Sequence, residues 1–294
     1  MITAKRFSME SKPMRWCEIS DSSEKVRFEA LSAAMKSSGH ENSVEFFTVT
    51  KDDFGAQLAA VEREFDGIRL SGNASEWIFQ QTERMPSLTA TLNTADALAR
   101  EETKEGIRWW SRAYLLDGLN RTLAASKTTP DISGAVFILG ARPITRVLIA
   151  SLARIGFSRF NIVDPDETKA QEFCENLKKR LFGLDVHSVA RHYMTQLPGI
   201  HSFAANVLEH GKDDGTIQEL FYFNFLKPNG LWLDLPLSPF NQALEAEAVA
   251  VGASILDSSS VLSQTDALWL NECFGVEISP QTLKEKFDQS RQSV

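Results

Sequence analysis

The stretch GAVFILGARPITR, residues 134–146, limits most strongly what this chain can fold into. Phe137, Ile138 and Leu139 form an apolar run that stops at Gly140. ITRVLIASLARIG follows with apolar residues at helical spacing, and RFNIVD then reads as a second strand. Strand, glycine turn, helix and strand make a βαβ unit, which belongs to a parallel sheet with crossover helices. Such a turn can hold a dinucleotide, because the free N–H groups of the helix N-terminus face the phosphates. The fingerprint for that task uses three glycines: for the tight turn, for close approach of the pyrophosphate, and for helix–strand packing. Only Gly140 is present here. Arg142 puts a side chain where the fingerprint has none, and Pro143 removes one donor, although proline suits a first helical turn.

The loop therefore predicts a Rossmann-like fold with a weakened seat for NADP or NAD. Its candidate cofactor residues are Gly140, Ala141, Arg142, Thr145, Arg146 and Asp164. Arg142 and Arg146 can hold a phosphate or carboxylate by charge, or they are solvated surface arginines. Asp164 ends the second strand, roughly 20 residues beyond the loop, where an NAD ribose contact sits. It also precedes PDET, a turn and helix-cap sequence, so both roles stay open.

The same alternation runs upstream. SEKVRFEALSAAMKSSG reads as a helix, SVEFFTVT as a strand, DDFGAQLAAVEREF as a helix and DGIRLSG as a strand. KTTPDISG breaks the pattern before the quoted stretch. The expected fold class is α/β with two domains. Residues 1–115 form an N-terminal α/β substrate-binding domain, and 116–255 a Rossmann-like NAD(P)-binding domain. Residues 256–294 form a helical segment that packs back on the N-terminal domain. A net charge of -8 argues against a nucleic-acid partner. No apolar run approaches the ~20 residues of a membrane span. The amino-terminal MITAKRFSMESKPMRW lacks the apolar core of a leader, so a cytoplasmic location is expected. Cys17, Cys174 and Cys273 lack metal spacing, and His40, His187, His192, His201 and His210 form no ligand pair, so no metal is expected.

In this order the elements resemble the shikimate dehydrogenase family over nearly the whole chain, as a distant member with degenerate motifs. The family's GAGGAxR matches GARPITR, and its FxGxNVTxPxKExx matches FDGIRLSGNASEWI. Its xNT matches LNT, its NTDGxGFxxxL matches LLDGLNRTL, and its carboxyl-terminal pattern follows GLWLDLPL to FGVE. The resemblance implies a two-domain architecture with a cleft. It also implies NAD(P)-linked reduction of a small polyhydroxylated cyclic acid of the 3-dehydroshikimate type. Asp117 matches the catalytic aspartate, which orients a substrate hydroxyl and assists proton movement. Asn93 and the pair Ser20 and Ser22 match substrate-holding residues. The partner lysine of the aspartate falls at Ser75, a tyrosine at Leu237 and a glutamine at Thr265. A serine hydroxyl cannot replace an ammonium as proton donor, so the expected activity is weak or altered. Arg69 is the next residue to consider, although a guanidinium is a poor proton donor. Asp117 can instead favour its own helix N-terminus, Asn93 a turn, and Ser20 and Ser22 a helix cap. The alternative function is a non-catalytic small-molecule binding or sensing protein that keeps the cleft. A small-molecule ligand is the expected partner, and a homodimer is compatible with the sequence.

Overall fold

The computed structural model describes residues 13–81, 86–126, 128–208, 215–220, 222–238 and 241–292. The amino-terminal stretch 1–12, read above for a leader, lies outside the described residues, as does His210.

The first part of the chain runs β1 (Met14–Ser20), α1 (Lys25–Ser37), β2 (Asn42–Thr48), α2 (Phe54–Glu64) and β3 (Gly67–Ser71). It continues with α3 (Ala74–Trp77), a 3-10 turn, α4 (Ser87–Leu92), and the hairpin of β4 (Ala97–Thr103) and β5 (Gly106–Arg112). These strands form one sheet in the order β2-β1-β3-β4-β5. β2, β1 and β3 are parallel, and β4 and β5 add as antiparallel neighbours. α5 (Tyr114–Ala125) then leads out of this sheet.

The second sheet is built from β6 (Ala135–Leu139), α6 (Pro143–Arg154), β7 (Arg159–Val163), α7 (Glu167–Lys178) and β8 (Asp185–Ser188). β9 (His201–Asn206), α8 (Thr216–Leu220), β10 (Leu226–Asp234), α9 (Gln242–Ala250) and β11 (Ser254–Ile255) complete it. Its order is β11-β10-β9-β6-β7-β8, with every pairing parallel. This is a doubly wound sheet whose two halves diverge between β6 and β9, the place where such sheets open a crevice at their carboxyl ends. All five residues of β6 are buried. Val136 and Ile138 enter one core cluster, and Phe137 and Leu139 another, as a strand covered on both faces requires.

α10 (Ser258–Phe274) returns to lie along α5 and touches β4, and α11 (Pro280–Gln292) packs on α1 and α10. α10 begins earlier than its apolar pattern suggests, because the Asp257 carboxylate accepts the N–H groups of Ser259 and Ser260. α5 and α10 meet closely at Gly118. A Cβ there would lie 2.9 Å from the Thr265 nitrogen and 3.0 Å from its Cα. Among the described residues, no helix is long and apolar enough to cross a membrane. No group of three His, Cys, Asp or Glu is placed among them to hold a metal ion.

Candidate functional site: a cleft between the two sheets

A cavity of about 430 Å³ opens between the sheets. Its wall consists of residues that follow the carboxyl ends of strands, including Asp21, Gly72, Arg142, Pro165, Val207 and Leu235. α1, α5 and α10 close the remaining sides through Arg27, Leu115 and Thr265.

The second sheet contributes the Gly140 turn. Gly140 has φ +113°, which few residues with a side chain adopt. A Cβ on it would also meet Val207 Cγ2 at 2.5 Å and Leu208 Cδ2 at 2.9 Å. The turn and the start of α6 are fixed from within. Gly140 N–H donates to the Val163 carbonyl at 2.7 Å, and Ala141 N–H to Asp164 Oδ2 at 2.7 Å. Arg142 N–H donates to Thr145 Oγ1 at 3.3 Å, and that hydroxyl donates to the Gly140 carbonyl at 2.6 Å. Pro143 has no N–H to offer. Asp164 is 2% exposed, and its second oxygen accepts the Asp166 N–H at 3.0 Å.

The glycine and the fold therefore suit a dinucleotide, whereas the backbone donors that would cradle its pyrophosphate are engaged inside the turn. Side-chain charge is what this end of the cleft offers instead. Arg142 lies on the wall, and the nearby Lys169 has its ammonium pKa lowered by burial and by the Arg142 charge. Thr145 and Asp164 act as braces of the turn, and Arg146 is placed elsewhere than expected. Its guanidinium donates to the Asn93 carbonyl at 3.0 Å and to Glu76 at 3.2 Å, and it lies over the Phe173 ring. Arg146 thus fastens α6 to the first sheet's connections, because its length reaches that partner and Glu76 supplies the countercharge. Thr94 adds a second tie, donating to the Pro143 carbonyl at 3.1 Å.

The first sheet contributes the other wall. Ser22 lines the cavity, but Ser20 does not. It is 1% exposed at the end of β1 and has no hydrogen-bond partner for its hydroxyl among the described residues. Asn93 sits in the left-handed region at the end of α4, φ 51°, and donates to Glu76 at 2.8 Å, off the cavity wall. Asp117 also differs from expectation. Its side chain is 63% exposed, 4.0 Å from Arg154, and does not line the cavity. The residue of α5 on the wall is Leu115, because a helix turns by about 100° per residue and carries Asp117 round to solvent. Ser75, Leu237 and Thr265 do line the cavity.

Of the charged groups at this wall, Arg69 was considered from the sequence, whereas Arg27, Asp96 and the Asp266 behind them were not. Arg27 and Asp266, 239 residues apart, form a bidentate pair at 2.9 and 2.7 Å. Arg69 Nη2 joins the same Asp266 oxygen at 3.2 Å. Asp96 receives the N–H groups of Tyr114 and Leu115 at 3.0 and 2.6 Å, and burial raises its carboxyl pKa. Behind them Glu18 accepts the hydroxyls of Ser23 and Ser71. Burial raises its pKa, and those bonds oppose the rise. The one local signal for Asp96 was its place two residues after Thr94 in NTAD; nothing local pairs Arg27 with Asp266.

No family model and no curated protein matches the sequence. Solved structures do match. Shikimate 5-dehydrogenase from Thermus thermophilus, in complex with NADP(H) and shikimate, is 16% identical, with a TM-score of 0.72 over 94% of this chain and 99% of that one. Quinate dehydrogenase from Corynebacterium glutamicum, in complex with NAD, is 12% identical, with a TM-score of 0.75 over 94% and 99%. A ligand-free 5-ketofructose reductase from a Gluconobacter strain is 14% identical, with a TM-score of 0.70 over 95% and 99%. The agreement spans both sheets and the returning helices, so the chain has the two-domain α/β fold found in shikimate and quinate dehydrogenases.

Proposed function

We propose that the protein is an NAD(P)-linked oxidoreductase of the shikimate dehydrogenase type, acting weakly or on an altered small cyclic acid. The observation that carries this reading is the single cavity joining the Gly140 turn to the Arg69, Ser75 and Thr265 wall. A nicotinamide, when bound, supplies or accepts a hydride. Gly140 permits the tight turn into α6, and Arg142 and Lys169 attract the dinucleotide's phosphates by charge. On the opposite wall Arg69 and Ser22 orient the second ligand, and Leu115, Leu237 and Val207 exclude water. Ser75, at the lysine's place, and Asp117, turned to solvent, leave the family's lysine–aspartate pair unfilled on that wall. Losing a positioned acid–base group costs ~10²–10⁴-fold in rate. Those same two residues favour a second reading, a non-catalytic binding protein that keeps the cleft.

Titration of the purified protein with NADPH and NADH, followed by quenching of its tryptophans, tests the cofactor, and oxidation of shikimate and quinate with NADP and NAD tests the chemistry. Saturable quenching with turnover ~10²–10⁴-fold below an enzyme that has the pair supports the proposal. Saturable binding without turnover moves the weight to the second reading. Absence of dinucleotide binding overturns the proposal.

A further inference from the structure

Arg69 is a buried cation with two donors that no described residue uses. It is 1% exposed, and its guanidinium lies between the rings of Phe28 and Trp269, 5.4 and 5.2 Å from their centroids. Nη2 shares Asp266 Oδ1 with Arg27, while Nε and Nη1 have no hydrogen-bond partner among the described residues. Arg27 is served by both Asp266 oxygens and by Glu24. Asp96, the other buried carboxylate on the wall, gives its oxygens to the N-terminus of α5. Burying donors of a charged group without acceptors is costly, and such groups in folded proteins call for an acceptor from outside the chain. Arg69 lies on the cavity wall, so a ligand can supply it. In the motif match above, this position is an asparagine in the family pattern.

The rest of the wall states what the ligand body is like. Ser23, Ser75, Thr94 and Thr265 line the cavity, and each gives its hydroxyl hydrogen to a protein acceptor. They are left as acceptors, open to a ligand hydroxyl but not to a carboxylate. Leu115, Leu237, Leu235, Ile144, Val147 and Leu262 supply apolar surface. A ring hydroxyl pressed on such a side chain loses its water without a replacement partner.

We infer that the cavity takes a compact monocarboxylate with a largely apolar body, its carboxylate on Arg69 Nε and Nη1. This rests on the proposal that the cleft is a ligand site, but it does not require turnover.

The test uses cyclohex-1-ene-1-carboxylate, its neutral amide, and shikimate, which has the same carbon ring with three hydroxyls. Calorimetry on the wild-type protein should show the acid binding ~10–150-fold tighter than the amide, the range of one charge-assisted hydrogen-bonded contact, and tighter than shikimate. Arg69→Met keeps an unbranched chain between the two rings and leaves Asp266 paired with Arg27. It should abolish the preference for acid over amide. Equal binding of acid and amide by the wild type, no binding of the acid at about 10 mM, or an acid preference retained in Arg69→Met overturns the assignment of the carboxylate. Tighter binding of shikimate than of the unhydroxylated acid overturns the apolar body. None of these probes needs to react, so failure of hydride transfer with the acid still bound counts against the proposed activity and leaves this site standing.

Discussion

Asp164→Ala separates a brace from a cofactor contact. The carboxylate is 2% exposed and accepts two backbone N–H groups, from Ala141 at 2.7 Å and Asp166 at 3.0 Å. A hydrogen bond to a charged group contributes about 1.5–3 kcal/mol, and an abandoned buried donor costs a similar amount. The Ala141 N–H is enclosed beneath the turn and bears the larger loss, whereas Asp166 is exposed and its N–H can turn to water. The expected destabilisation is therefore about 2–4 kcal/mol, below the sum of two full bonds. Asp164→Asn keeps one oxygen for Ala141 and should lose about half as much. Equilibrium urea unfolding followed by circular dichroism measures both, with the midpoint falling and the slope unchanged. A loss under about 0.5 kcal/mol, the usual effect of a surface change, would refute the bracing argument. If the same variant bound NADH tenfold more weakly while staying stable, the carboxylate would be a ribose contact instead.

Three further expectations follow from single positions. Asp117→Ala should leave ligand binding unchanged and alter stability by no more than about 0.5 kcal/mol, because the side chain is exposed; calorimetry beside thermal unfolding checks both, and a tenfold loss of ligand affinity would return Asp117 to the site. Gly118→Ala drives a Cβ against the Thr265 backbone and should cost about 1–3 kcal/mol as overpacking between α5 and α10, read by urea unfolding. His201 is buried, with Nδ1–H donating to the Phe225 carbonyl and Nε2 accepting from Asn161, and burial lowers its pKa below 6.5. Its contribution to stability is thus complete above pH 6.5 and is lost as pH falls through the folded-state value, so His201→Gln should flatten the decline of stability below pH 6.5.

How far the sequence revealed this molecule depended on what each segment must satisfy. β6 was legible because a strand covered on both faces must be apolar throughout, and AVFIL is. β1, a central strand of the other sheet, was not, because Arg15 and Glu18 interrupt MRWCEIS. Glu18 can be buried there only because Ser23 and Ser71, from a loop and a neighbouring strand, reach it. The β4–β5 hairpin was hidden in the same way by its charged tip, AREETKEGIR. Asp117 shows the limit of a short match. The dipeptide DG aligned with the first glycine of DGxG, but Gly118 is the residue against α10. Taking Gly118 as the second glycine of that pattern puts the aspartate's position at Leu115, the residue on the wall.

Packing constraints and chemical constraints have therefore parted company in this chain. Gly140 and Gly118 are held by close contacts that admit no Cβ, and so the motifs built on them can still be read. The cleft residues come one or two at a time from separate strand ends, so a substitution at Ser75 or Leu115 disturbs no periodicity and leaves no local trace. What separates a working cleft from an inherited shape is then energetic. Replacing a poorly satisfied buried ion by an apolar residue of similar volume is often neutral or stabilising. Arg69 is such an ion, with apolar rings on both sides ready to pack against a methionine or leucine. A chain shaped by folding alone has no use for its idle nitrogens. A guanidinium there, on the wall of the cavity, weighs for a cleft that still binds an acid.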